Sequence, residues 1–209
     1  MPIIEAKAPK QSLSKLWTGL KQLVPLKKSR NWWMRVSPGE IRQRHILHPH
    51  PLYSIRLTEL LAGRTLGATL HRSGWIYFVK NAAKQPALAE VGIIARKHVH
   101  LLLTEGPLAR RALHTIQKAR NDPRLRRHSF RLRSLRVESL HTFVFWLRGS
   151  ARNEFWLPVT PIGQSVAARQ WLTRAEFVDV LVREAWRVLA AQEHARGLLI
   201  KPQGSGLES

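Results

Sequence analysis

From residue 75 onward the apolar side chains of this chain recur at every second position, in two blocks separated by a helical interval. A period of two sends alternate side chains to opposite faces of an extended strand, so the blocks predict a buried sheet. The first block contains "GWIYFVKN", "ALAEVGIIA" and "HVHLLLT", the latter two separated by Arg96 and Lys97 in a tight hairpin position. The second contains "SFRLRSLRVESL", "TFVFWLR" and "EFWLPV", with "GSARN" joining the last two.

Each block is followed by a helix. "GPLARRALHTIQKARNDP" opens with Pro107 in its first turn and closes at the "NDP" breaker. Leu108, Ala112, Leu113, Ile116 and Ala119 form its expected buried face. "TRAEFVDVLVREAWRVLAAQ" has Thr173 as a cap and Glu176 three positions later, the pattern of a capping box. Phe177, Val180, Leu181, Trp186 and Leu189, with Glu184 in part, trace its periodicity. These elements predict an α+β fold with a mostly antiparallel sheet of about six strands in two three-strand groups, each followed by a helix. The two halves share an order of elements but no residue-by-residue identity.

Ahead of the strands, "SLSKLWTGLKQLV" places Leu13, Leu16, Trp17, Leu20, Leu23 and Val24 on one stripe of an N-terminal amphipathic helix. Ser12 is the expected N-cap and Pro25 the stop. Such a stripe can pack on its own domain, dock on another protein subunit, or lie on a membrane surface. The docking reading makes these six residues a partner site. "HPHP", at His48 to Pro51, is expected to be a stiff connector, because proline lacks a donor and constrains its predecessor. A short helix is expected from about Ser54 to Leu61, with Gly63 as its stop. The expected organisation is a basic arm over 1–30, one α+β domain over 31–200 and a flexible tail over 201–209.

Charge narrows the function. Thirty-five Lys and Arg stand against 13 Asp and Glu, a net charge of +22, while 44% apolar content is ample for a core. A surface so basic repels itself, and a polyanionic partner is the usual reason to keep it. Nucleic acid, RNA or DNA, is favoured over an anionic membrane or an acidic protein. The charge is uneven. Residues 106–150 hold eleven basic and two acidic side chains, whereas residues 151–209 hold seven and six.

The densest run, "RRALHTIQKARNDPRLRRHSFRLRSLR", supplies Arg110, Arg111, Lys118, Arg120, Arg124, Arg126, Arg127, Arg131, Arg133 and Arg136. With one acid in the run, an Arg-rich helix and strand side by side are the expected contact to a phosphate backbone.

Chemistry other than binding finds less support. Cysteine is absent, which removes disulfides, thiolate metal sites and a cysteine nucleophile. The pairs His48 with His50 and His98 with His100 have ligand-like spacing, but their basic surroundings oppose a cation. Two aspartates in the whole chain argue against a two-metal nuclease. No GxSxG, HExxH, phosphate loop or glycine-rich dinucleotide turn occurs. No catalytic residue, metal or cofactor is therefore assigned. A metal-independent ribonuclease that uses histidine and arginine is the enzymatic alternative, and an adaptor for acidic protein surfaces is the other. No apolar run reaches the roughly 20 residues that span a bilayer, and the N-terminus lacks a secretory h-region. A non-catalytic nucleic-acid-binding protein of the cytoplasm, a subunit of a larger nucleoprotein assembly, is the expectation.

Overall fold

A computed structural model of the chain describes residues 3–26, 46–80, 86–125, 128–149 and 153–199. Its elements in chain order are β1 (Ile3–Ile4), α1 (Lys10–Leu26), β2 (Ile46–Ile55), α2 (Leu57–Leu61), α3 (Leu66–Thr69), β3 (Leu70–Lys80), β4 (Pro86–Ile94) and β5 (Lys97–Thr104). They continue with α4 (Pro107–Asn121), β6 (Phe130–Val137), β7 (Thr142–Arg148), β8 (Glu154–Pro158) and α5 (Arg174–Leu199). The fold is α+β with a mostly antiparallel sheet.

Among the described residues the sheet has eight strands, in the order β5-β4-β3-β2-β6-β7-β8, with β1 beside β6. Two antiparallel meanders, β2 to β5 and β6 to β8, meet along a parallel seam where Leu52 lies opposite Ser134 and Ser54 opposite Arg136. The parallel pair of β1 with β6, Ile3 opposite Phe130, extends that seam. The strand count corrects the expected six. Both additional strands, β1 and β2, come from the N-terminal side and lie at the seam.

β2 contains "HPHP", whose prolines argue against a central strand. A bulge accommodates it: the register with β3 shifts between Leu47 and His50, and His48 takes a φ of 50°. The Pro49 carbonyl accepts from the Ala6 amide at 3.2 Å, so the peptide edge of that residue faces away from β3. Pro51, two residues on, shares this orientation. Neither nitrogen faces the β3 ladder, so the missing donors cost no bond there. Pairing with β6 begins only at Leu52.

Alternation feeds three separate cores. On β3, Ile76 and Phe78 join the cluster beneath α4, whereas Trp75, Tyr77 and Val79 join the cluster beneath α1. On β7, Phe143, Phe145 and Leu147 face α4, and Val144 and Trp146 face α5. Helices on both faces explain why these strands read as continuous apolar runs despite antiparallel pairing. α1 packs on β4 and β5, and α5 packs on β8 and α2.

Several local expectations shift. The β4–β5 turn is Ala95 and Arg96, both at positive φ, closed by Ile94 opposite Lys97, one residue earlier than expected. On α4, Ala109 and Thr115 are sealed together with Ala112, Ile116 and Ala119, while Leu108 and Leu113 are only partly buried. Trp186 of α5 is 58% exposed, because the sheet is met by Phe177, Leu181 and Ala185 instead. The α5 capping box forms: the Thr173 amide donates to Glu176 Oε2 at 2.7 Å and the Glu176 amide donates to Thr173 Oγ1 at 3.3 Å. Those bonds hold the Glu176 carboxyl below its usual pKa.

α1 begins at Lys10, so Ser12 is an interior position and not the cap. Leu16 and Leu20 are fully buried against β3, β4 and β5, with Leu13 and Trp17 packed beside them. Four residues of the stripe thus pack on the chain's own sheet. The side chains of Leu23 and Val24 lie outside the described residues, as does the tail over 201–209.

Candidate functional site

α1 and α5 share one face of the sheet but cover its two ends, leaving the middle strands less covered. Between the two helices this face carries Tyr53, Arg72, Arg131, Arg133, Trp146 and Arg148. On β3 the register shift between Leu52 and Tyr53 lets Arg72 reach the face of Trp75, and on β6 and β7 parity decides. Leu135 and Val137 of β6 face α5, so Arg133 and Arg131, two and four residues earlier, point the same way. Trp146 and Arg148 are related likewise on β7.

Arg133 is the centre of the group. Its guanidinium carbon lies 4.5 Å from the Trp146 ring centroid and 5.3 Å from that of Tyr53. Arg148 lies 5.8 Å from the same indole, and Arg72 lies 4.8 Å over Trp75. Each such stack contributes about 0.5–2 kcal/mol, more where water is displaced. Trp146 is itself fixed. It stacks on Trp156 at 4.8 Å, and Trp156 stacks on Phe177 of α5 at 4.2 Å. The Trp146 indole donates to Glu154 Oε2 at 2.8 Å.

Among the described residues, none of Arg72, Arg131, Arg133 and Arg148 forms an ion pair with a carboxylate. Burial pushes the Arg133 pKa down from its usual value; Tyr53 opposes this, and the charges of Arg148, Arg131 and Arg72 add to it. The guanidinium stays charged. An anion entering here would gain from four guanidiniums, three of them stacked on aromatic rings, and relieve their mutual repulsion.

Two recesses open on this face. One, of about 390 Å³, is bounded by Tyr53, Leu66, Leu70, Asn153, Glu154 and Arg174 and reaches Arg133 and Arg148. The other includes Ile4, Ser129 and Arg131, and it shares Arg133, Arg148 and Gly149 with the first. Glu154 also pairs with Arg174, at 3.4 Å.

The structure divides the ten expected binding residues. Arg131 and Arg133 lie in the group just described. Arg110, Arg111 and Lys118 are exposed on α4, which covers the opposite face of the sheet. The sheet therefore stands between these three side chains and Arg131 and Arg133. Arg120 donates to Glu5 at 2.9 Å, Arg124 holds Asp122 through two nitrogens at 2.8 and 3.0 Å, and Arg136 pairs with Glu90 at 2.6 Å. Arg124 also stacks on Trp171 at 4.8 Å. Asp122, the one acid of the run, thus serves Arg124, while acids from outside the run, Glu5 and Glu90, serve Arg120 and Arg136. Arg126 and Arg127 lie outside the described residues.

Tyr53, Arg72, Trp146 and Arg148 do not stand out in the sequence. The signal available is parity: within "TFVFWLR" and "FRLRSLRV", the arginines share alternation with the apolar side chains of one face.

Histidine chemistry does not converge here. His50 is fully buried, its Nδ1 donating to the His48 carbonyl at 2.5 Å and its Nε2 accepting from Ser134 at 2.8 Å. Burial depresses its pKa to about 4. His48 Nδ1 lies 2.6 Å from Glu5 Oε1 at the junction of β1 and α4. Burial acts to raise the Glu5 pKa, but the bonds and charges of His48 and Arg120 outweigh it and hold it below the usual value. Among the described residues no histidine lines either recess, and no group of three metal-ligating side chains occurs. No helix among the described residues is long and apolar enough to cross a membrane. The chain matches no protein family, no curated protein and no solved structure.

Proposed function

We propose that this chain is a non-catalytic nucleic-acid-binding protein that holds phosphates with Arg72, Arg131, Arg133 and Arg148 on the open middle of its sheet. One observation carries the reading: three guanidiniums, of Arg72, Arg131 and Arg148, surround that of Arg133, which Tyr53 and Trp146 hold between them, and among the described residues none of the four has a carboxylate partner. Planar guanidinium groups suit phosphate oxygens, and aromatic neighbours fix the plane before the ligand arrives. The net charge of +22 fits a role within a larger nucleoprotein assembly, where the polyanion offsets the repulsion of the surface.

The test is to mix the purified protein with labelled RNA and DNA at low salt and follow both anisotropy and fragment length. Binding without cleavage is expected, with the variant carrying Gln at all four arginines much weaker. Equal binding by that variant would overturn the assignment to this face, and cleavage that persists in chelator would overturn the non-catalytic reading.

A further inference from the structure

We infer that the recess beside Arg133 and Arg148 receives the base of one unpaired nucleotide, while its phosphate rests on Arg131, Arg133 and Arg148. This rests on the proposed function and adds a preference to it, for single strands over duplexes.

The two recesses have different chemistry and a common border. At the border stand Arg133 and Arg148, shared by both. To one side lies Arg131, so positive charge is concentrated at and beyond the border. To the other side the walls are flat or apolar, from Tyr53, Leu66 and Leu70, with the polar Asn153 and Glu154 also lining the space. Phosphate is drawn to the first region, whose lining has cations and no carboxylate, whereas in the second Arg174 is already paired with Glu154. A base suits the second region: its faces are apolar, and its edge carries donors and acceptors for an amide and a carboxylate. Glu154 already accepts from Trp146 and pairs with Arg174, which holds it in place, and a carboxylate retains acceptor capacity beyond two contacts.

Size agrees. A volume of about 390 Å³ falls in the range of pockets that enclose a small ligand. A paired base is stacked inside its helix and cannot enter without being flipped out, which costs unstacking energy. An unpaired base enters freely.

Gly67 of α3 gives the recess a neutral plug. A Cβ placed there meets only a nitrogen of Arg174, at 3.8 Å, and its φ is not in the left-handed region. Gly67→Leu would fill the space while leaving every charge in place.

The experiment compares three labelled probes of equal length: a single strand, a duplex, and a single strand whose sugars carry no bases. With the natural protein, the base-bearing strand should bind about tenfold more tightly than the abasic strand, the effect of one accommodated base. Gly67→Leu, its fold checked by an unchanged cooperative melt, should lose this advantage and bind both strands like the abasic one. Equal affinity for base-bearing and abasic strands overturns the inference yet leaves phosphate binding standing. Loss of all binding only when the four arginines are changed supports the proposed function independently. Because the abasic comparison uses the unaltered protein, a poorly folded Gly67→Leu does not remove the test.

Discussion

The Tyr77 hydroxyl donates to Ser12 Oγ at 2.6 Å, joining β3 to the interior of α1 across a buried interface. Burial raises the Tyr77 pKa to about 12, so the bond persists at any ordinary pH. Tyr77→Phe leaves a buried serine hydroxyl unpaired and should cost about 1–2 kcal/mol in urea unfolding. Removing residues 1–28 should do far more, because Leu16 and Leu20 leave the core with the helix. Loss of the cooperative melt is expected. A truncated chain that melts like the full one would refute the role given to α1.

Salt dependence separates a phosphate site from general attraction to charge. Changing Arg72, Arg131, Arg133 and Arg148 to Gln should flatten the slope of log affinity against log salt by about 3 units, from roughly 0.7–0.9 per lost contact. The matched control removes four exposed charges elsewhere, at Lys97, Arg110, Arg111 and Lys118. That control should change the slope by less than about 1 unit. Equal slopes for the two variants would mean that the middle of the sheet has no special part in binding.

His50 makes the fold acid-sensitive. Its folded pKa of about 4 lies below the ordinary 6.5, so the unfolded chain takes up a proton first as the pH falls. The neutral, buried ring thus contributes stability that is complete above pH 6.5 and lost on descent toward pH 4. The loss amounts to about 2–3 kcal/mol by about pH 4.5. Glu5, whose pKa is depressed, loses its contribution in the same direction but at lower pH. His50→Gln should flatten the dependence of the urea midpoint between pH 7 and about pH 4.5. A wild-type midpoint that does not move over that interval would contradict the assignment.

Two glycines with positive φ separate backbone strain from collision. Gly63, at φ +81°, has nothing within 4 Å of where a Cβ would stand, whereas at Gly163, φ +52°, the added atom would run into the buried Glu184 carboxylate. Glu184 cannot easily yield, since it accepts from Ser165 and, at 2.7 Å, from Arg187. Gly63→Ala should cost about 1–2 kcal/mol from conformation alone, and Gly163→Ala clearly more. Comparable losses in thermal denaturation would show that the collision is absorbed.

What the sequence discloses is local. The α4 boundaries follow from Pro107 and the "NDP" breaker, and Thr173 with Glu176 marks the start of α5, because these signals act within a few residues. β2 is hidden because the proline rule concerns which edge a nitrogen faces, and Pro49 and Pro51 face away from β3. The arginine group is only half visible. Arg131 and Arg133 stand out in a dense basic run, but density does not reveal partners: Arg120, Arg124 and Arg136 in the same run are neutralised by Glu5, Asp122 and Glu90. Tyr53, Arg72 and Arg148 come together only through the register of four strands, which no short window of sequence contains.

The parallel seam has a consequence in time. As the chain leaves the ribosome, β2 can pair with β3 at once, but its other edge and the whole of β1 must wait for β6. Tyr53 and Arg72 are made early; Arg133, Trp146 and Arg148 arrive late. The basic face is therefore not assembled on a nascent chain until the second meander has closed. A growing polypeptide of this charge emerges beside ribosomal RNA, and the order of synthesis withholds its ordered guanidinium array until the molecule is nearly complete.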